Sequence, residues 1–125
     1  MKTTANFFVG IIAALHFVIA FAEMFLWTPL KIHKRLERLN LEPEEARKVA
    51  PIVANAGLYN AFLASALVWS LLPTVESLSA KFFFLSCVAI AGIYGAITLK
   101  WITIAIQTLP ALVTMLLLWI AGRPA

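Results

Sequence analysis

Charge is scarce in this chain of 125 residues: Lys, Arg, Asp and Glu together make up 13%, against 62% hydrophobic residues. So few ionised groups cannot solvate the surface of a water-soluble domain, and a mean hydropathy of +0.92 excludes that class. Cysteine is scarcer still. Cys87 stands alone, which rules out an internal disulfide, and it lies in an apolar run where a thiol serves as a small hydrophobe. Histidine occurs twice, with no second histidine or cysteine at ligand spacing from His16, so no metal site is expected. A basic face interleaved with aromatics is also missing, and nucleic acid is therefore not expected as a partner despite the net charge of +4. There is no internal repeat and no low-complexity stretch.

What the chain does have is long apolar runs. Residues 7–27, 51–72, 82–99 and 102–120 each hold about 20 residues, the length that crosses a hydrocarbon core of about 30 Å at 1.5 Å per residue. The expected architecture is an all-α integral membrane four-helix bundle in a single domain, 1–125. The N-terminal Lys2, apolar run and Ala20-Phe-Ala22 resemble a secretory signal, but the run continues through Trp27 and exceeds the usual signal core, so cleavage is not expected.

Between the first two runs the pattern changes. Ile32, Leu36 and Leu39 recur at helical spacing among Lys31, Lys34, Arg35 and Arg38, which reads as a short helix on the membrane surface or as a solvated loop. Thr28-Pro29 discourages continuation of the first helix. Pro43, Glu44 and Glu45 suit a first helical turn, so the second helix is expected to begin in water near Pro43 and enter the membrane near Pro51 with a bend. Pro73 to Ala80 reads as a short polar link, and Lys100-Trp101 as a tight turn, since one helix of 39 residues would be about 58 Å long.

Seven cationic residues (Lys31, Lys34, Arg35, Arg38, Arg47, Lys48 and Lys100) fall on one side of this arrangement and three (Lys2, Lys81 and Arg123) on the other. That bias places the basic loop 28–50 in the cytoplasm and both termini outside, in a multi-pass protein of the cell membrane.

The residue that demands a reason is Glu23, because a carboxylate in hydrocarbon is costly unless it is paired, protonated or faces a cavity. Counting from the expected cytoplasmic helix ends, Glu23, Asn55, Tyr59, Asn60, Tyr94 and Gln107 all lie within roughly 3 to 14 Å of that boundary. His16 sits deeper. Polarity confined to one half of the spans points to a pocket between helices with Glu23 at its centre. Asn55 and Tyr59 share one stripe of the second helix, whereas Asn60 points about 100° away towards Ala56 and Ala64, which suits a helix contact. Gly57, Ala61 and Ala64 permit close backbone approach there. Asn, Gln and Tyr in membrane helices also serve simply as interhelical hydrogen bonds, and His16 as a neutral packing partner.

His16 with Glu23-Met-Phe-Leu-Trp27, Asn55-Ala-Gly-Leu-Tyr-Asn-Ala-Phe-Leu-Ala64, Ala91-Gly-Ile-Tyr-Gly-Ala-Ile-Thr98 and Gln107-Thr-Leu-Pro-Ala111 together resemble the family of small bacterial membrane proteins called Domain of Unknown Function 1304. The likeness touches all four spans. It departs at Ala56 and Ala61, where the family pattern has Gln and Gly. The resemblance implies a small four-span protein, here of a bacterial inner membrane, and brings no activity or cofactor with it. A weaker, fold-level likeness is to the trimeric membrane-associated eicosanoid and glutathione metabolism proteins, in which Asn55 and Arg47 would stand for an asparagine and an arginine of the second helix, with no acid following.

Three functions are consistent with these residues. The first is binding or transport of a small polar or cationic solute by Glu23 with Asn55, Tyr59 and Gln107, with protonation of Glu23 coupled to release. The second is a membrane-embedded enzyme on a lipophilic substrate, with Glu23 or His16 as acid or base, Tyr59 or Tyr94 as a hydrogen-bond donor and a thiol cosubstrate near Arg47. The third is a non-catalytic subunit whose polar residues only lock helices together. Lipid is the one certain surrounding; a small-molecule ligand and a homo-oligomer are left open.

Overall fold

The computed structural model describes residues 2–27, 42–75 and 77–122. The expected surface helix, the break at Thr28-Pro29 and the tail after Gly122 lie outside the described residues. Four helices long and apolar enough to cross a membrane follow in order: α1 (Lys2–Phe25), α2 (Pro43–Trp69), α3 (Leu78–Thr98) and α4 (Ile104–Ala121). No strand occurs among the described residues.

The helix boundaries differ from the hydropathy limits for local reasons. α1 begins five residues before the apolar run. α2 starts at Pro43 as expected, capped by the Glu45 carboxylate, which accepts the Glu42 backbone N–H at 3.0 Å. It continues through Pro51, whose missing N–H deprives the Arg47 carbonyl of its helical donor. α3 starts at Leu78, well inside the expected polar link, because Ser77 is an N-cap: its hydroxyl accepts the Ala80 N–H at 3.2 Å. The turn between α3 and α4 falls at Lys100 as expected, with the Thr103 N–H returning to the Lys100 carbonyl at 3.1 Å.

By its internal packing the chain divides into two compact units, Met1–Ala14 with Leu63–Ala125, and Leu15–Phe62. In the first, α1 contributes Ala5, Val9, Ile12 and Ala13 to the core, at the four- and three-residue steps of one helical face. Leu67 of α2, Leu85, Val88 and Ala89 of α3, and Ala111 and Leu118 of α4 complete it. The alanines let neighbouring backbones approach where no hydrophobic drive separates helix from lipid.

The α3–α4 hairpin is the tightest part of this unit. A Cβ placed on Gly92 would collide with the Thr108 hydroxyl and lie 2.8 Å from the Thr108 backbone nitrogen. Two hydroxyls cross the gap: Thr108 donates to the Ala89 carbonyl at 3.0 Å and Thr103 to the Gly92 carbonyl at 2.8 Å. The first turn of α4, Ile104–Thr108, is a π-helix, closed by the Leu109 N–H on the Ile104 carbonyl. It ends two residues before Pro110, which has no N–H to continue a regular ladder, and a wide turn absorbs that loss. Large apolar side chains such as Phe7, Phe83, Ile97, Leu116 and Trp119 are exposed along the helices, the pattern of surfaces solvated by hydrocarbon.

In the second unit the end of α1 meets the start of α2. The Trp27 indole donates to the Ala46 carbonyl at 3.2 Å, joining the two ends, and Ala46 is fully buried.

Candidate functional site

Within Leu15–Phe62, α2 crosses α1 at Gly57. A Cβ there would lie 2.8 Å from Met24 Cγ, 3.0 Å from the Ala20 carbonyl and 3.0 Å from Glu23 Cβ, so only glycine fits. Ala20, Glu23 and Met24 stand at i, i+3 and i+4 on α1, and Gly57 and Asn60 at i and i+3 on α2, so one face of each helix meets the other.

The close approach brings Asn60 to Glu23. Asn60 Nδ2 donates to Glu23 Oε2 at 2.9 Å. The bond fixes the carboxylate's orientation, while the Glu23 and Asn60 side chains remain only partly buried. An oriented carboxylate beside an amide oxygen is a set of acceptors suited to a cationic or hydrogen-donating group.

Two further candidates lie on the same helix as Asn60. Asn55 and Tyr59 are each two residues from Gly57, about 200° around the helix, so they project from the side of α2 turned away from α1. Both are exposed, and Tyr59 packs edge-on against Phe62 with centroids 6.2 Å apart. His16 is 1% exposed, one of the most deeply buried polar side chains. In the other unit Tyr94 is exposed, its carbonyl accepting the Thr98 hydroxyl at 2.9 Å, and Gln107 is half-buried within the π turn of α4.

A cavity of about 470 Å³ opens beside the α1–α2 crossing, lined only by apolar residues, among them Phe17, Phe21, Met24, Phe25 and Ala61. None of the polar candidates lines it. Among the described residues no three His, Cys, Asp or Glu side chains come together to hold a metal ion.

Sequence reasoning missed a second polar pair. Lys81 is 2% exposed, and its Nζ donates to Asn6 Oδ1 at 2.9 Å. Hydropathy placed both residues outside their spans. The signal that would have found them is Ser77, a good N-cap four residues before Lys81, which draws the lysine into the first turns of α3.

No curated protein and no solved structure matches the chain. The family described as protein of unknown function (DUF1304) matches over residues 10–119, from the middle of α1 to the last turn of α4. The match takes in most of the chain and reaches into all four spans, and the chain belongs to the DUF1304 family.

Proposed function

We propose that this four-span protein binds a small cationic or polar solute at Glu23 and transports it across the membrane. The observation that supports the reading is the Glu23–Asn60 pair: a carboxylate aimed by an amide at 2.9 Å, at a crossing packed on Gly57, and not sealed from its surroundings. A carboxylate kept within an apolar span has a cation or proton as its natural counterpart. In this reading the end of the protein that holds Glu23 faces the cytoplasm with the basic segment 28–50, the termini lie outside, and the membrane is a bacterial inner membrane; the lysine and arginine bias supports that orientation.

The test is uptake of radiolabelled methylammonium by proteoliposomes containing the full chain. Saturable uptake lost in Glu23→Gln and reduced in Asn60→Ala is expected. Equal uptake by wild-type and Glu23→Gln protein would overturn the reading.

A second reading, a non-catalytic subunit, is favoured by the same bond seen as a lock: Glu23 and Asn60 tie α1 to α2 beside their close approach at Gly57. It predicts that Glu23→Gln, which keeps an acceptor in place, changes neither uptake nor assembly.

A further inference from the structure

The face of α2 turned away from α1 carries its own pattern. Ile52, Asn55, Tyr59 and Phe62 follow one another at steps of three, four and three residues, the spacing of a seam along which two helices pack. Ile52, Tyr59 and Phe62 are 70%, 64% and 58% exposed, and Asn55 is exposed with them, so the described residues do not fill this seam. Ala56 beside it is also exposed, and its single methyl leaves room for a neighbouring backbone.

Two of the four seam residues need what lipid tails lack. No hydrogen bond reaches the Asn55 amide or the Tyr59 hydroxyl from the described residues. Counted from Pro51, where the apolar run begins, Asn55 lies about 6 Å and Tyr59 about 12 Å along the helix. An amide or hydroxyl in hydrocarbon without a partner is costly. The occupant that relieves this cost is another helix with donors and acceptors at the same depths.

A second copy of the chain meets that requirement by symmetry. Copies inserted in the same direction hold their Asn55 residues at one depth, and a two-fold axis along the membrane normal sets each seam residue against its own counterpart. An amide is both donor and acceptor, so two facing amides exchange two hydrogen bonds, and a tyrosine hydroxyl is likewise both. Ile52 and Phe62 bracket the polar pair with apolar contacts. The next position of the stripe towards the start of α2 is Lys48, which holds the Glu44 carboxylate at 3.0 Å, so the copies meet there as compensated pairs and not as bare like charges. A single asparagine in a helix seam also fixes its register. We propose that this face of α2 is a self-association surface, on which two copies of the chain pair in parallel about Asn55 and Tyr59.

The experiment is Förster transfer between full chains labelled at Lys100→Cys in a Cys87→Ala background, reconstituted in phosphatidylcholine and phosphatidylglycerol vesicles over a range of lipid dilution. Transfer that falls along a dimer curve is expected, with the midpoint shifted about tenfold by Asn55→Leu and less by Tyr59→Phe, the scale of one or two hydrogen bonds between membrane helices. Both residues are exposed, so these changes leave the chain's own packing in place, and an unchanged helical circular dichroism spectrum checks that. Tyr94→Phe alters an exposed tyrosine of α3, off this face, and should associate as wild type does. Independently, Ile52→Cys in the Cys87→Ala chain should form a disulfide-linked dimer on oxidation in the membrane, whereas Ile97→Cys, exposed on α3, should not. Chains that stay monomeric at every dilution overturn the proposal, whether lipid or another protein then covers the face. Association that Asn55→Leu leaves unchanged, or that Tyr94→Phe weakens as much, also overturns it, as does equal cross-linking through Ile97→Cys.

Discussion

Asn60 donates its side-chain amide to the Glu23 carboxylate at 2.9 Å, joining residues 37 positions apart in the chain. Leucine at position 60 removes this donor from the Glu23 carboxylate. Asn60→Leu is expected to destabilise the fold by about 1 kcal/mol, the scale of hydrogen bonds between membrane helices. Glu23→Gln, which keeps an acceptor oxygen, should cost less. Loss of helical circular dichroism during titration with a denaturing detergent measures both, and a double-mutant cycle with the two changes should show the coupling between them.

Gly57 and Gly10 offer a controlled contrast. An added methyl at Gly57 meets Met24, the Ala20 carbonyl and Glu23, while one at Gly10 meets nothing within 4 Å. Gly57→Ala should therefore destabilise by about 1 to 3 kcal/mol through overpacking. Gly10→Ala should be neutral or stabilising by up to about 1 kcal/mol through helix propensity. The same detergent titration ranks the two, and a larger loss at Gly10 than at Gly57 would contradict the crossing described for α1 and α2.

At the α3–α4 hairpin the obstruction has two parts, the Thr108 hydroxyl and the Thr108 backbone nitrogen. Gly92→Ala is expected to loosen the hairpin, visible as faster amide hydrogen exchange in α4. Thr108→Ala in the same chain removes the hydroxyl but not the nitrogen, and it also forfeits the bond to Ala89. Rescue by the second change should therefore be partial, and full rescue would show that the backbones are farther apart than the structure has them.

The orientation proposed from the charge bias has a direct chemical readout. After Cys87 is replaced by Ala, a cysteine introduced at Lys100 should react with an impermeant thiol reagent only from the cytoplasmic side, and one at Lys2 only from the outside. Labelling of both from one side would mean that the chain crosses the bilayer an even number of times between them.

Much of the fold was legible because it depends on local composition. An apolar run of about 20 residues marks a span wherever it occurs, and Lys100 had to interrupt a stretch too long for one crossing. Pro43 with its following acids marked the start of α2 for an equally local reason, the dipole and orphan N–H groups of a first turn. Boundaries were harder to read. Hydropathy assigns Asn6 and Lys81 to water because each is polar, yet both take part in a hydrogen bond inside the helix ends, and Lys81 is buried.

By itself the sequence determined four membrane-spanning helices and singled out Glu23 as an acid needing a partner, since both follow from the cost of placing given side chains in hydrocarbon. Which polar group becomes that partner was decided by the tertiary structure. Asn55, Tyr59 and Asn60 lie within six positions on one helix and are equally polar to a reader of composition. They differ by where a step of about 100° per residue points each one once Gly57 has brought α2 against Ala20 and Met24. Only Asn60 then shares the facing side with Glu23, because a hydrogen bond is made at about 3 Å or not at all.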